Sequence, residues 1–289
     1  MRAVAWAVAR LPWSWLGPLG AALGLLAGSL LRIRRRHVER SLRAAGIAPA
    51  EGIAALARGV FASLGTGVFE LLWLAGRPPA HLDARVTMAP SCAAALRDAA
   101  ALGRGVVVAT AHTGNWDLSA CATARWMAAP GGIASASRLT VVTKRLSWRA
   151  LDRYWQRLRA ERGVTLVEAV GAAAAVRAAL RAGGLVGLLV DQAPERRSGV
   201  VTFPFLGQPA RHDLAPALLA ARGRAPIVVV LGRRTPDGRH LLEAVEAIGP
   251  DELRGRGAIE RATARIAAAV EAFVRAHPEQ WLWLHRRWK

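Results

Sequence analysis

The 289-residue chain carries 40 basic against 20 acidic residues, a formal charge of +20, and only two cysteines. That balance calls for an anionic partner, whether nucleic acid, a membrane surface or a phosphorylated substrate, while two cysteines exclude a disulfide framework and point to a reducing compartment. Eleven Trp against one Tyr and five Phe, with a mean hydropathy of +0.23, favour a membrane interface, and no nucleic-acid partner is expected.

Residues 13 to 31 contain no charge and are followed at once by Arg32, Arg34, Arg35 and Arg36. This is about the minimum length for a bilayer span, roughly 17 to 25 residues. A cleaved signal peptide fits poorly, because the basic cluster follows the apolar run instead of preceding it. Two readings remain: a transmembrane helix with its basic end in the cytoplasm, and a helix half-buried in the inner leaflet. Gly17, Pro18, Gly20, Gly24 and Gly28 weaken the first. Arg32 to Ala45 reads as a basic helix suited to anionic headgroups and ended by Gly46 and Pro49. Residues 50 to 75 form an apolar helical pattern closed by Gly76 and Pro78-Pro79. The expected division is therefore an anchor and basic helix at 1–45 and a catalytic domain at 46–289.

From residue 92 helices and strands alternate. Helices are expected at 92–102, 115–128, 147–162, 170–182, 211–222 and 258–276. Strands are expected at 105–111, 139–143, 164–168, 185–190, 200–205, 226–231 and 240–246, and a Gly/Ala/Ser loop at 129–137. This pattern predicts an α/β fold with a mixed, mostly parallel sheet flanked by helices, its ligand site beyond the strand ends. His112 and Asp191 both stand at such ends.

The chemistry-bearing stretch is Val106 to Ala120, a β-branched strand that stops at His112, turns, and starts a helix carrying Asp117. On one continuous helix, residues five apart point about 140° away from each other, at 100° per residue, and do not meet. Across a strand-to-helix turn they can. A carboxylate there would fix the tautomer of an imidazole that takes a proton from a hydroxyl. The alternative is that His112 merely ends a strand and Asp117 is a helix-start acid. There is no G-x-S-x-G, P-loop, G-x-G-x-x-G, H-E-x-x-H or paired C-x-x-C motif, so no metal and no cofactor are expected. Cys121, one turn past Asp117, reads as a packed small hydrophobe in an alanine-rich helix.

His112-Thr-Gly-Asn-Trp-Asp117 resembles the H-x4-D/E motif of glycerolipid and lipid A acyltransferases. It is followed by Gly187 to Gln192, by Gly199 to Ala210, and by the closing block His277-Pro-Glu-Gln-Trp281-Leu-Trp-Leu-His-Arg-Arg-Trp288. In order and spacing these blocks are similar to those of the bacterial lipid A biosynthesis (lauroyl or myristoyl) acyltransferase family, over nearly the whole chain. The segment before the first core helix, Ser41 and the 129–137 loop depart from the usual pattern and bear on subfamily and acceptor.

What the resemblance implies is transfer of a fatty acyl chain from acyl carrier protein or coenzyme A to a hydroxyl of an anionic glycolipid such as a lipid A precursor. The place would be the cytoplasmic face of the bacterial inner membrane. His112 would be the general base with Asp117 on its other nitrogen, and Asp191 would support them. Arg145, Arg149, Arg162, Arg196 and Arg197 lie where phosphates of acceptor or donor would be held. Oxyanion donors are sought in backbone N–H groups at the start of the 115–128 helix or in a nearby arginine. A phosphatidylinositol mannoside or a lysophospholipid as acceptor would leave the same motifs. A rival of another class is a non-catalytic basic protein that binds the membrane surface.

Overall fold

The computed structural model describes residues 2–133, 138–145 and 148–288. Part of the expected 129–137 loop and the first residue of the expected 147–162 helix lie outside these. The helices are α1 (Arg2–Val8), α2 (Trp13–Leu25), α3 (Arg35–Ala44), α4 (Ile53–Ala75), α5 (Pro90–Ala101), α6 (Trp116–Ala128), α7 (Arg149–Glu161), α8 (Ala172–Arg181), α9 (Ala215–Gly223) and α10 (Ala258–Ala276). The strands are β1 (Val86–Met88), β2 (Val106–Thr110), β3 (Leu139–Thr143), β4 (Val164–Glu168), β5 (Leu185–Leu189), β6 (Val200–Phe205), β7 (Gln208–Asp213), β8 (Ile227–Arg234) and β9 (His240–Ile248).

Seven strands form one sheet in the order β1-β9-β8-β2-β5-β3-β4. Strands β8, β2, β5, β3 and β4 run parallel, and β9 lies antiparallel to β8 with β1 parallel to β9 at the edge. The expected mostly parallel α/β sheet is therefore present. Because side chains alternate across a strand, the apolar run of β2 feeds two cores. Val107 and Ala109 face α8, α9 and α10, whereas Val106 and Val108 face α5 and α6. Burial on both faces explains why β2 is continuously apolar. Gly105, at φ +67°, opens the strand where a Cβ would stand 2.7 Å from the Leu180 carbonyl oxygen.

Residues 208–213, of which 211–213 are expected to begin a helix, are instead strand β7, paired antiparallel with β6. Leu206 and Gly207 both have positive φ, +53° and +73°, as a two-residue type I′ hairpin turn requires. The helix begins only at Ala215, whose N–H the Asp213 carboxylate accepts at 2.7 Å, with Pro216 in the first turn. The short edge strand β1 was absent from the sequence expectation, since three residues carry too little periodicity to register.

At the N-terminus α2 continues through a π-helical turn, Leu26–Leu30, and lies along α4. Gly20, Gly24 and Gly28 make this approach possible. A Cβ on Gly24 would stand 1.8 Å from the Phe61 carbonyl oxygen, and one on Gly20 would stand 2.4 Å from Thr66 Cα. Three of the glycines that weaken a spanning reading of the segment are thus its contact positions on α4. Trp13–Leu30 and Ala50–Ala75 are both long and apolar enough to cross a membrane by length and composition. Helix α4 nevertheless buries Ile53, Ala57, Val60 and Phe61 in the main core. Its own first turn packs beside Val38 and Leu42 of α3.

Candidate active site

The register of the two central strands brings the site together. Thr110 of β2 pairs with Leu189 of β5, and two residues further along each chain come His112 and Asp191. Asp191 Oδ1 lies 2.9 Å from His112 Nδ1, while Oδ2 accepts the His112 backbone N–H at 3.0 Å and the Trp281 indole N–H at 2.7 Å. An ionised carboxylate only accepts, so in the neutral imidazole the proton sits on Nδ1 and the lone pair of Nε2 faces away from Asp191. Burial alone would raise the Asp191 carboxyl, but the His112 ring, its backbone N–H and Trp281 together hold it below the usual carboxylate range. The edge of Trp116 meets the His112 ring at a centroid distance of 4.9 Å, fixing it from the helix side.

The sequence expectation placed Asp117 at the imidazole. In the fold Asp117 sits in the first turn of α6 and is engaged by Arg159 of α7, Nε to Oδ1 at 2.5 Å. Asp191 holds Nδ1 instead, because adjacent parallel strands end side by side, whereas the turn at Thr113 to Asn115 carries Asp117 toward α7. The equal offset of His112 and Asp191 from their strand ends was the available signal.

The closing block latches over this turn. Gly114 N–H donates to the Gln280 carbonyl at 2.8 Å, and Leu282 N–H donates to the His112 carbonyl at 3.1 Å. Asn115 caps α6 by accepting the Leu118 N–H, and its own amide donates to Glu70 Oε2 at 2.9 Å and to the Gly67 carbonyl. Glu70, buried on α4, is held bidentately by Arg234 and contacted by His240 Nε2 at 3.0 Å. Burial pushes its carboxyl up, but His240 and Arg234 outweigh this and bring it down to about 2.

The expected phosphate-binding arginines divide. Arg145 pairs with Glu168 at 3.0 Å and Arg196 with Asp213, both at the surface, and Arg149 and Arg197 are exposed. An ion pair between Lys144 and Glu195 joins the loops after β3 and β5, which carry Arg145, Arg196 and Arg197, while Arg149 opens α7. Arg162 instead donates to the Leu74 and Arg77 carbonyls at 2.7 and 2.8 Å, closing the end of α4. Burial raises both Cys121 and Cys92 to about 12, so neither supplies a thiolate nucleophile near neutral pH.

Behind Asp191 a cavity of about 10 Å³, room for one water, is lined by Val190, Phe205, His212 and Arg287 among others. Arg287 is 1 % exposed and donates to the Arg211 carbonyl and to His212. Burial, with Arg287 beside it, holds His212 down to about 3 and therefore neutral. Sequence reasoning assigned no role to Gln192, Trp281, Arg159 or the Glu70 cluster, since each acts through a contact between distant segments.

A family model described as bacterial lipid A biosynthesis acyltransferase matches residues 1–289, the full length of the chain. No curated protein matches it.

Proposed function

The chain belongs to the bacterial lipid A biosynthesis acyltransferase family and is an acyltransferase, and from that premise we propose its reaction in finer terms: acyl transfer from acyl carrier protein or coenzyme A to a hydroxyl of a phosphorylated lipid A precursor. The observation that carries the mechanism is the His112–Asp191 contact of 2.9 Å, with two further donors on Asp191. His112 Nε2 takes the proton of the acceptor hydroxyl as its oxygen attacks the thioester carbonyl carbon. Asp191 keeps the Nδ1–H tautomer and balances the imidazolium that forms. The tetrahedral intermediate then expels the thiolate, which receives the proton from His112. A thioester is already activated, so no acyl-enzyme is required.

Asp117 acts one step away in this reading, anchoring Arg159 beside the turn that carries His112. The exposed Arg145, Arg149, Arg196 and Arg197 receive phosphates of acceptor or donor, a task to which the guanidinium fork is suited. Arg162 is assigned to the end of α4. Residues 1–45 attach the enzyme to the cytoplasmic face of the inner membrane, and residues 46–289 carry the chemistry.

The test is kinetic. His112→Ala and Asp191→Asn should each lower kcat on the order of 10²-fold or more, the scale of general-base loss, with melting temperature and vesicle attachment retained. Near-normal turnover by His112→Ala refutes the assignment.

A further inference from the structure

Gln192 follows Asp191 directly at the end of β5 and is half-buried. Its amide nitrogen lies 3.4 Å from Nε2 of His112, on the ring nitrogen opposite the one held by Asp191. Because Nδ1 carries the proton, Nε2 is an acceptor, and only the N–H end of the Gln192 amide satisfies that geometry. The amide therefore occupies the approach that the acceptor hydroxyl needs, which lies within about 3 Å of Nε2. An incoming hydroxyl must displace it, and the N–H is then left beside the point where the thioester carbonyl becomes an oxyanion.

Several side-chain donors near the site already have partners among the described residues. Arg159 is tied to Asp117, Arg162 to the end of α4, and Arg287 to Arg211 and His212. The Asn115 amide is spent on Gly67 and Glu70, and the Trp281 indole on Asp191. Gln192 alone of these uncharged amide and indole donors meets the reactive nitrogen itself.

We propose that Gln192 is a further catalytic residue of this acyltransferase: its side-chain N–H caps the base in the resting enzyme and turns to hydrogen-bond the thioester carbonyl oxygen as the acceptor hydroxyl arrives. This rests on His112 acting as the base. The bond order changes as in the mechanism above. The O–C bond forms as the hydroxyl proton passes to Nε2, Gln192 donates to the negative oxygen without losing its proton, and collapse breaks C–S with protonation of the thiolate.

The experiment compares wild type, Gln192→Ala, Gln192→Glu and His112→Ala in the full-length protein. The substrates are a lauroyl thioester and a tetra-acylated, phosphorylated glucosamine disaccharide, fixed first as a pair the wild type turns over. Loss of an oxyanion donor lowers kcat about 10²- to 10³-fold. Both Gln192 variants should show this with KM for either substrate changed less than fivefold and the same melting temperature. Gln192→Glu is nearly isosteric, so it keeps the packing while lacking the donor. If either variant keeps kcat within fivefold of wild type, or exceeds it because the base is uncovered, the proposal is wrong and Gln192 only guards Nε2. A fall in kcat/KM arising through KM alone also overturns it. Unimpaired His112→Ala would instead overturn the general-base reading, whatever the Gln192 variants do.

Discussion

Asp117 and Asp191 are both buried, yet each is matched to a different partner, Arg159 for the first and His112 for the second. Their substitution by asparagine should therefore separate. Asp191→Asn keeps an acceptor for Trp281 but loses the charge that stabilises the imidazolium, so it damages rate more than stability. Asp117→Asn removes the ion-pair partner of a mostly buried guanidinium, which costs roughly 3 kcal/mol. That variant should melt lower, and pairing it with Arg159→Met should restore much of the loss, because removing both partners of a buried pair is far milder than removing one. Thermal melts of the two single variants and the double variant check this; additive losses would show that the pair is not coupled. Glu70 gives a pH test. Its carboxyl falls from an ordinary 4.5 to about 2 in the fold, so its contribution to stability is complete above about 4.5 and disappears as pH falls toward 2. The stability gap between wild type and Glu70→Gln, from denaturant melts, should accordingly narrow between pH 5 and pH 2. A constant gap would mean that Glu70 acts through shape and not charge.

At the scale of elements, the α2–α4 contact makes two glycines of one helix behave differently. Gly17 has open space where a Cβ would go, whereas Gly24 meets the Phe61 carbonyl at 1.8 Å. Gly17→Ala should change stability by less than about 1 kcal/mol, because the gain from a better helix former is opposed by the crowding of a Cβ against the following Pro18 ring. Gly24→Ala should destabilise by roughly 1–3 kcal/mol through overpacking, or several degrees in melting temperature. Equal shifts would mean that α2 does not rest on α4. The sequence made the central strands legible because β2 and β5 are buried on both faces and read as continuous apolar runs, and their equal offsets to His112 and Asp191 were present in the residue order. It was silent about Trp281 on Asp191, which joins residues 90 positions apart and depends on the closing block folding back over the turn. The β6–β7 hairpin departs from the helix expected from 211 because its turn rests on Leu206 in a left-handed conformation, a placement that β-propensity and periodicity do not signal. The paired role of Asp117 was likewise set by α7, whose position only the assembled sheet determines.

Across the whole molecule, apolar and basic surfaces adjoin at the N-terminus. Trp6, Trp15, Leu19, Leu23, Leu26, Leu30 and Leu31 are exposed on α1, α2 and the turn that follows, although Gly20, Gly24 and Leu16 on other faces of α2 are buried. Directly after them α3 presents Arg36, Arg40 and Arg43 to solvent at helical spacing. A surface of this kind binds an interface through two forces that respond differently to salt. Burial of apolar side chains is indifferent to ionic strength, whereas attraction to anionic headgroups decays within a Debye length of about 8 Å at physiological salt. Each basic residue near such a surface contributes about 1 kcal/mol. Replacing Arg36, Arg40 and Arg43 by Gln should then weaken binding to phosphatidylglycerol vesicles about 100-fold at low salt, since 1.4 kcal/mol is a factor of ten. The same triple variant should bind neutral phosphatidylcholine vesicles as wild type does. Trp15→Ser with Leu23→Ser should do the reverse, removing roughly 3 kcal/mol of apolar burial and weakening the binding that survives in high salt about 100-fold. Both sets of positions are exposed, so the fold should tolerate either change. Sedimentation with vesicles of the two compositions at low and high salt separates the contributions. If the serine pair leaves high-salt binding intact, the apolar face of α2 is not what enters the bilayer, and attachment has to be sought elsewhere on the protein.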